Sequence, residues 1–274
     1  MTAAHWSVGA GATDTGPRAR NEDSFLSAGA VHLVADGMGG HVGGAAASAA
    51  AIEAFRELSS RTVVTPADVA DAMAAAQAAV LDVGRRAGAE SGTTLTGAVA
   101  VEHEGEPWWM VVNVGDSRTY QLEGTHVHQI TVDHSHVQQL VDAGRITPEQ
   151  AMHHPDRNII TRALGDGVAA FDAWLVPVAP GSRLIVASDG LTGAVPDELI
   201  GSVAGLADSD EEAAERLVEA ALRHGTGDNV TVVVAHAPAT TTPLDADPGP
   251  WPLWPLLDGE DDTTGVAARR EPQE

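Results

Sequence analysis

The chain of 274 residues contains no cysteine and, although it carries 15 basic residues, no lysine: every one is arginine. Without cysteine there is no disulfide framework, no thiol nucleophile and no cysteine-ligated zinc. A formal charge of −24 sets the chain against nucleic acid as a partner and against anionic membrane surfaces. Aromatic residues are only 4% of the whole, so the core has to be built from small and aliphatic side chains. No stretch reaches the ~18 uninterrupted apolar residues of a membrane helix, and the N-terminus lacks the basic region and apolar run of a signal peptide. These absences predict a cytoplasmic protein, monomeric by default.

What is present is a globular composition, 43% hydrophobic and 20% charged, long enough to bury a substantial core. The chain is organised around residues 34–41. Val31 to Ala35 has the length and β-branched content of a strand, stops at Asp36 and breaks into Gly37, Met38, Gly39, Gly40 and His41. A carboxylate beside an approachable backbone carbonyl suits a hard cation, although Asp-Gly is also among the commonest turn pairs. Before it, residues 6–12 read as a first strand, and residues 18–23 gather two arginines with Glu22 and Asp23, a cluster that alone reads as a solvated turn. After it come helices over 42–58 and 66–86, the second opened by Thr65 as cap and Pro66 at the first helical position.

From Gly92 the period shifts to strands over 93–101, 108–114, 119–122 and 126–131, a meander of antiparallel neighbours. Residues 133–162 are an excursion with short helical pieces and four histidines, His134, His136, His153 and His154, whose spacing favours structural or capping roles over zinc. The last block supplies strands over 171–176 and 183–187, helices over 197–206 and 211–224, and a strand from Val230. Residues 1–238 therefore form the folded domain. Residues 239–274 read as a disordered acidic tail of charge −6, which leaves −18 on the domain. Within that tail, Trp251 to Leu257 is an apolar island, a docking motif for a partner or leftover linker.

Asp36, Asp116, Asp189 and Asp228 each fall where a β-like run meets a glycine. Loops at one end of a sheet can bring such carboxylates together, and they would repel unless cations lay between them. Oxygen ligands without imidazole or thiolate favour magnesium or manganese. Two such ions bridged by one aspartate acidify water and clamp an in-line displacement at phosphorus, with an arginine to hold the phosphate.

On residues 18–23, 35–41, 92–94, 114–118, 133–135, 158–165, 187–191 and 227–231, in that order, the chain resembles the metal-dependent protein phosphatases, the type 2C serine/threonine family in its stand-alone bacterial form. The resemblance implies an α+β fold, a four-layer αββα sandwich of two mainly antiparallel sheets flanked by helix pairs. It implies hydrolysis of phosphoserine and phosphothreonine by a metal-bridging water at a binuclear Mn2+ or Mg2+ centre, on phosphorylated protein substrates of a serine/threonine kinase. Carried over by motif, Asp36 bridges the metals, Asp189 and Asp228 complete the first, and the Gly37 carbonyl with Glu22, through water, serves the second. Asp23 orients metal-bound water, Asp116 with Asp189 holds a third, weaker ion, and Arg18 rather than Arg20 binds the substrate phosphate. Residues 133–162 correspond to the family's flap. Many eukaryotic members have histidine directly after the Asp-Gly, where this chain has Met38, so the general acid is open between His41, which has an equally plain packing role, and a metal-bound water. A non-catalytic phosphoprotein binder on the same fold, and a phosphatase specific for a phosphorylated anti-sigma-factor antagonist, are the alternatives.

Overall fold

Short β-branched runs separated by glycine turns become antiparallel strands, and the alanine-rich stretches between them become helices that can lie flat on a sheet. The computed structural model describes residues 7–39, 43–168, 170–178, 181 and 183–238, and the backbone of 251–253. In chain order these hold β1 (Val8–Asp14), β2 (Ser24–Ala28), β3 (Val31–Ala35), β4 (Gly37–Met38), α1 (Gly43–Glu53), α2 (Pro66–Ala87), β5 (Gly92–Thr93), β6 (Leu95–His103), β7 (Glu106–Val114), β8 (Arg118–Glu123) and β9 (His126–Gln129). Then come α3 (His136–Asp142), α4 (Pro148–Met152), β10 (Asp172–Pro177), β11 (Arg183–Ala187), α5 (Asp189–Thr192), α6 (Asp197–Gly205), α7 (Asp210–Arg223), β12 (Val230–His236) and β13 (Trp251–Leu253).

Among the described residues one sheet runs β1-β12-β11-β8-β9, a second runs β13-β10-β7-β6-β3-β2, and β4-β5 is a separate ribbon. Each sheet buries its outer face under helices. Leu33, Val99 and Val101 of the second sheet share a core with Ala47, Ala51 and Ile52 of α1 and Val69, Met73 and Val80 of α2. Tyr120, Ile185 and Val232 of the first sheet share another with Ile200 of α6 and Leu217 of α7. The result is the expected α+β sandwich. Toward the strand ends that carry the aspartates, the space between the sheets is lined by hydroxyls: Thr96 meets Thr119 at 3.0 Å and Thr94 meets Ser117 at 2.8 Å. No described helix is long and apolar enough to cross a membrane.

The cap signals of α2 are realised: Thr65 Oγ1 accepts from the Asp68 N–H, the Asp68 carboxylate accepts from the Thr65 N–H at 2.8 Å, and Gly88 ends the helix at φ 62°. The structure departs from the sequence reading in three places. The helix read over 42–58 ends at Glu53, because bonds from Phe55 to Ile52 and from Leu58 to Phe55 tighten the chain and turn both side chains into the core. Burying each is worth about 1.5–3 kcal/mol, more than the helical bonds given up. Asp189 begins one helical turn, α5, that no amphipathic pattern of useful length could announce. Of the tail read as disordered, the backbone of Trp251–Leu253 is a strand pairing with β10, and residues 239–250 and 254–274 lie outside the described residues.

Candidate active site

The aspartates stand where strands stop, and polar neighbours fix the backbone there. Asp36 follows β3; its N–H donates to Thr94 Oγ1 at 3.0 Å, and its carbonyl accepts from Thr93 Oγ1 at 2.8 Å and from the Thr94 N–H at 2.9 Å. Asp23 precedes β2 and accepts through Oδ2 from Ser188 Oγ at 2.9 Å, while Ser188 in turn accepts from the Thr231 N–H at 3.0 Å. Asp189 is the next residue after Ser188, Asp228 lies just before β12, and Asp116 sits between β7 and β8.

Their electrostatics show that they converge. Burial, then repulsion from Asp23, Asp189, Asp116 and Asp228, raises the Asp36 carboxyl well above the usual carboxylate range. Burial pushes Asp23 up to about 6, with repulsion from Asp189 adding to it against the hydrogen bonds from Thr231 and Ser188. Burial, with repulsion from Asp189 and Asp133, pushes Asp116 to about 7. Asp189 is raised as well, by burial and then by Asp228. Asp23 Oδ1, Asp116 Oδ1 and Asp189 Oδ1 are buried with no hydrogen-bond partner. Each such oxygen costs a few kcal/mol to leave bare.

A second oxygen pair lies beside this cluster. A Cβ on Gly44 would overlap the Glu22 carboxylate and come within 2.9 Å of the Gly37 carbonyl oxygen, so these two oxygens flank one small space under the start of α1. Gly37 is equally constrained, since a Cβ there would strike the Glu22 and Gly44 carbonyls. Glu22 is held by its backbone: its N–H donates to Asn229 Oδ1 at 2.8 Å and its carbonyl accepts from Ser48 Oγ at 2.5 Å.

Arg18 is at the rim, its side chain 56% exposed, with NH2 2.7 Å from Asp228 Oδ2 and Nε donating to the Gly227 carbonyl at 2.8 Å. The residue read as the phosphate holder is therefore brought to the site and engaged there with an acid. Position 38 carries Met38 in the β4-β5 ribbon, opposite Gly92, and His41 lies outside the described residues. Sequence reasoning gave Asn229, Ser188, Thr93 and Thr94 no roles, yet they hold the loops in place. Asn229 alone donates to the carbonyls of Thr15 at 2.8 Å and Arg20 at 2.9 Å. The signal available for them was their adjacency to Asp228, Asp189 and the Gly92 turn.

The excursion 133–162 abuts this end. Arg118 holds Asp133 in a two-pronged pair with contacts of 2.9 and 2.7 Å. His134 Nδ1 accepts from the Gly115 N–H at 3.1 Å, so Nε2 carries the proton and donates to Asp172 Oδ2 at 3.1 Å. Arg162 NH1 donates to Asp172 Oδ1 at 2.7 Å. Burial works against the Asp172 charge, but these donors outweigh it and hold the carboxyl below its usual range. His134 thus has the structural role expected for it.

Among the described residues no three acidic or histidine side chains close into a finished metal cage. Magnesium-like ions do not need one, because they keep several waters and take few protein ligands. Buried bare carboxylate oxygens beside a backbone carbonyl, with no thiolate or imidazole among them, are a donor set that fits a hard divalent cation.

A family model described as protein phosphatase 2C matches residues 10–230. The serine/threonine protein phosphatase PstP of Mycobacterium tuberculosis is 39% identical over 232 residues, which is 80% of this chain but 42% of PstP, so the chain spans less than half of that relative. The serine/threonine phosphatase stp of Listeria monocytogenes is 32% identical over 226 residues, 78% of this chain and 87% of stp. The solved catalytic domain of PstP in complex with two manganese ions has a TM-score of 0.76 at 36% identity, covering 85% of this chain and 99% of that one. Matched over most of its length by the family model and by these relatives, the chain belongs to the protein phosphatase 2C family.

Proposed function

We propose that this chain hydrolyses phosphoserine and phosphothreonine in proteins with the help of two divalent cations, manganese or magnesium, at the aspartate cluster. The observation that carries the reading is the trio of buried, unpartnered oxygens on Asp23, Asp116 and Asp189, set beside the Glu22–Gly37 pair at the end where Arg18 stands. Asp36, Asp189 and Asp228 would hold one ion; Asp36 would bridge to a second at the Gly37 carbonyl and Glu22. Asp116 with Asp189 would take a third. Bound there, such ions lower the pKa of water and draw charge from the phosphoryl oxygens.

The chain's own groups do the rest. Ser188 anchors Asp23 through Oδ2, leaving its unpartnered Oδ1 to orient the attacking water. The exposed Arg18 fork can leave Asp228 for a substrate phosphate and place it in line with that water. Because Met38 carries no proton, the proton for the leaving oxygen has to come from elsewhere, and His41 is the side chain proposed for it. The strong acidity of the domain disfavours long-range attraction of acidic substrates, so recognition is assigned to short-range contacts around residues 133–162.

The test is hydrolysis of a phosphothreonine peptide with manganese, with magnesium and with excess chelator, beside Asp189→Asn checked for folding. Turnover that requires metal and disappears in Asp189→Asn supports the reading. Folded protein that turns over with neither metal would replace it with a phosphoprotein binder on the same fold.

A further inference from the structure

The second sheet does not end on β10. Its edge is covered by β13, three residues from a segment whose composition reads as tail: Ala173, Trp174 and Leu175 lie opposite Leu253, Pro252 and Trp251, antiparallel. Pro252 has no N–H to give. The ladder therefore requires Trp174–Pro252 to be the pair without hydrogen bonds, leaving Ala173–Leu253 and Leu175–Trp251 to exchange theirs. A single proline at the silent position between two residues able to pair is the arrangement an edge strand tolerates. Without β13, the N–H and C=O groups of Ala173 and Leu175 would be an open strand edge.

What β10 carries gives that edge a consequence. Its first residue, Asp172, holds His134 and Arg162 of the flap, and His134 holds the Gly115 N–H, one residue before Asp116. β13 runs along β10 toward that residue, since Leu253 lies opposite Ala173. One strand thus has β7 on one side, the C-terminal segment on the other and the flap's anchor at its head.

We propose that Trp251–Leu253 is an intramolecular edge strand that locks β10 and, through Asp172, steadies the flap beside the active site. The β10 edge is a strand-docking surface whose occupant is this chain's own C-terminal segment. Release of that segment loosens the flap. The activity arm of the proposal rests on the phosphatase reading; its structural arms do not.

The test compares hydrogen exchange in the full-length chain with full-length Trp251→Pro/Leu253→Pro, which removes both donors of β13 without shortening the protein. Amides of Ala173 and Leu175 are expected to exchange faster by about tenfold or more, with a smaller acceleration over 133–162 and none in β12. The absence of native cysteine permits a second arm: Trp174→Cys/Pro252→Cys, directly opposed, closes a disulfide on oxidation, whereas Trp174→Cys/Leu253→Cys, one register position off, does not. Unchanged β10 exchange, or equal cross-linking of both pairs, overturns the edge strand. Faster β10 exchange with an unaltered flap overturns the coupling. In activity, the proline variant raises KM for a phosphothreonine peptide and leaves kcat for a small aryl phosphate unchanged; equal loss on both substrates means general damage and counts against it. If the chain proves inactive, the exchange and cross-linking outcomes still stand, so the two failures are distinguishable.

Discussion

Two groups of buried acids occupy opposite ends of the same strands and are treated in opposite ways. Asp210, 7% exposed, lies at the end of β12 away from the aspartate loops, with His236 Nδ1 2.5 Å from Oδ2 and Arg183 Nε 3.1 Å from Oδ1. At the other end, Asp23, Asp36, Asp116 and Asp189 face chiefly one another, and three of them keep a bare oxygen. Burying a carboxylate costs several kcal/mol unless a partner compensates. Asp210 Oδ1 also lacks a hydrogen bond, but the Arg183 guanidinium lies 3.1 Å from it and His236 bonds Oδ2, so its partners are built into the chain and it is a structural acid. The cluster leaves its partners to be supplied, which is what a site for exchangeable cations requires.

The largest expected effect breaks the cluster end. Asp36→Asn keeps shape and removes the central charge, so manganese-supported hydrolysis of a phosphothreonine peptide should fall on the order of 10³-fold, the scale seen when one member of a catalytic unit is removed. The chelated protein should be no less stable than wild type, because the change also removes repulsion. A variant that retains more than a tenth of wild-type activity would sink the assignment of Asp36 as the bridge.

Arg18→Ala comes next. A charge-assisted hydrogen bond to phosphate is worth about 1.5–3 kcal/mol, so kcat/KM should drop roughly 10–100-fold. Arg18→Lys should recover only part, since one ammonium cannot reproduce the fork. The complementary change at the structural end is Asp210→Ala. Removing the acid takes the counter-charge from Arg183, which keeps only its bonds to the Ala204 and Ala207 carbonyls; after discounting for partial solvent exposure, the loss is about 2–4 kcal/mol, or roughly 5–15 °C in Tm. Manganese affinity, read by calorimetry, should not change. A fall in metal affinity with Asp210→Ala would erase the distinction between the two ends.

The parts of this molecule legible in the sequence are those with local causes. Asp36 at the end of a five-residue β-branched run could be placed because the run and the glycines after it are adjacent. The start of α2 could be placed because cap and partner lie three residues apart. The positioning residues could not, because their contacts join distant segments: Ser188 reaches Asp23 across 165 positions, Asn229 reaches Glu22 across 207 and Thr94 reaches Asp36 across 58. The end of α1 was decided by tertiary burial of Phe55 and Leu58, which overrides a run of good helix formers. β13 was legible only as part of an apolar island and not as a strand, because three residues with proline at the centre have neither length nor period. Arg18 is assigned to substrate phosphate only by resemblance. Its present engagement with Asp228 is an electrostatic consequence of a folded arrangement that no local pattern describes.

The smallest effect separates the two ends through pH. Burial has moved the Asp116 carboxyl from the ordinary 3.8 to about 7, so the folded protein binds that proton more tightly than the unfolded chain does. Stability from the bound proton is complete below pH ~4 and is lost as pH rises through the folded value, the direction opposite to that of an ion-paired acid. Asp23, raised to about 6, acts with the same sign. In chelator, the Tm of wild type should therefore decline between pH 5 and 8, and Asp116→Asn, which cannot ionise, should decline less. At pH 8 the variant should be the more stable of the two by a few degrees, since a protein of this size gains roughly 2–4 °C per kcal/mol. Manganese should then raise the Tm of wild type more at pH 8 than at pH 5, because at the higher pH the ions take oxygens that no longer have protons. Identical pH profiles for wild type and Asp116→Asn would mean that this carboxylate ionises at no cost in the fold. Asp116 would then stand with Asp210 as a structural acid, and the third cation position would lose its argument.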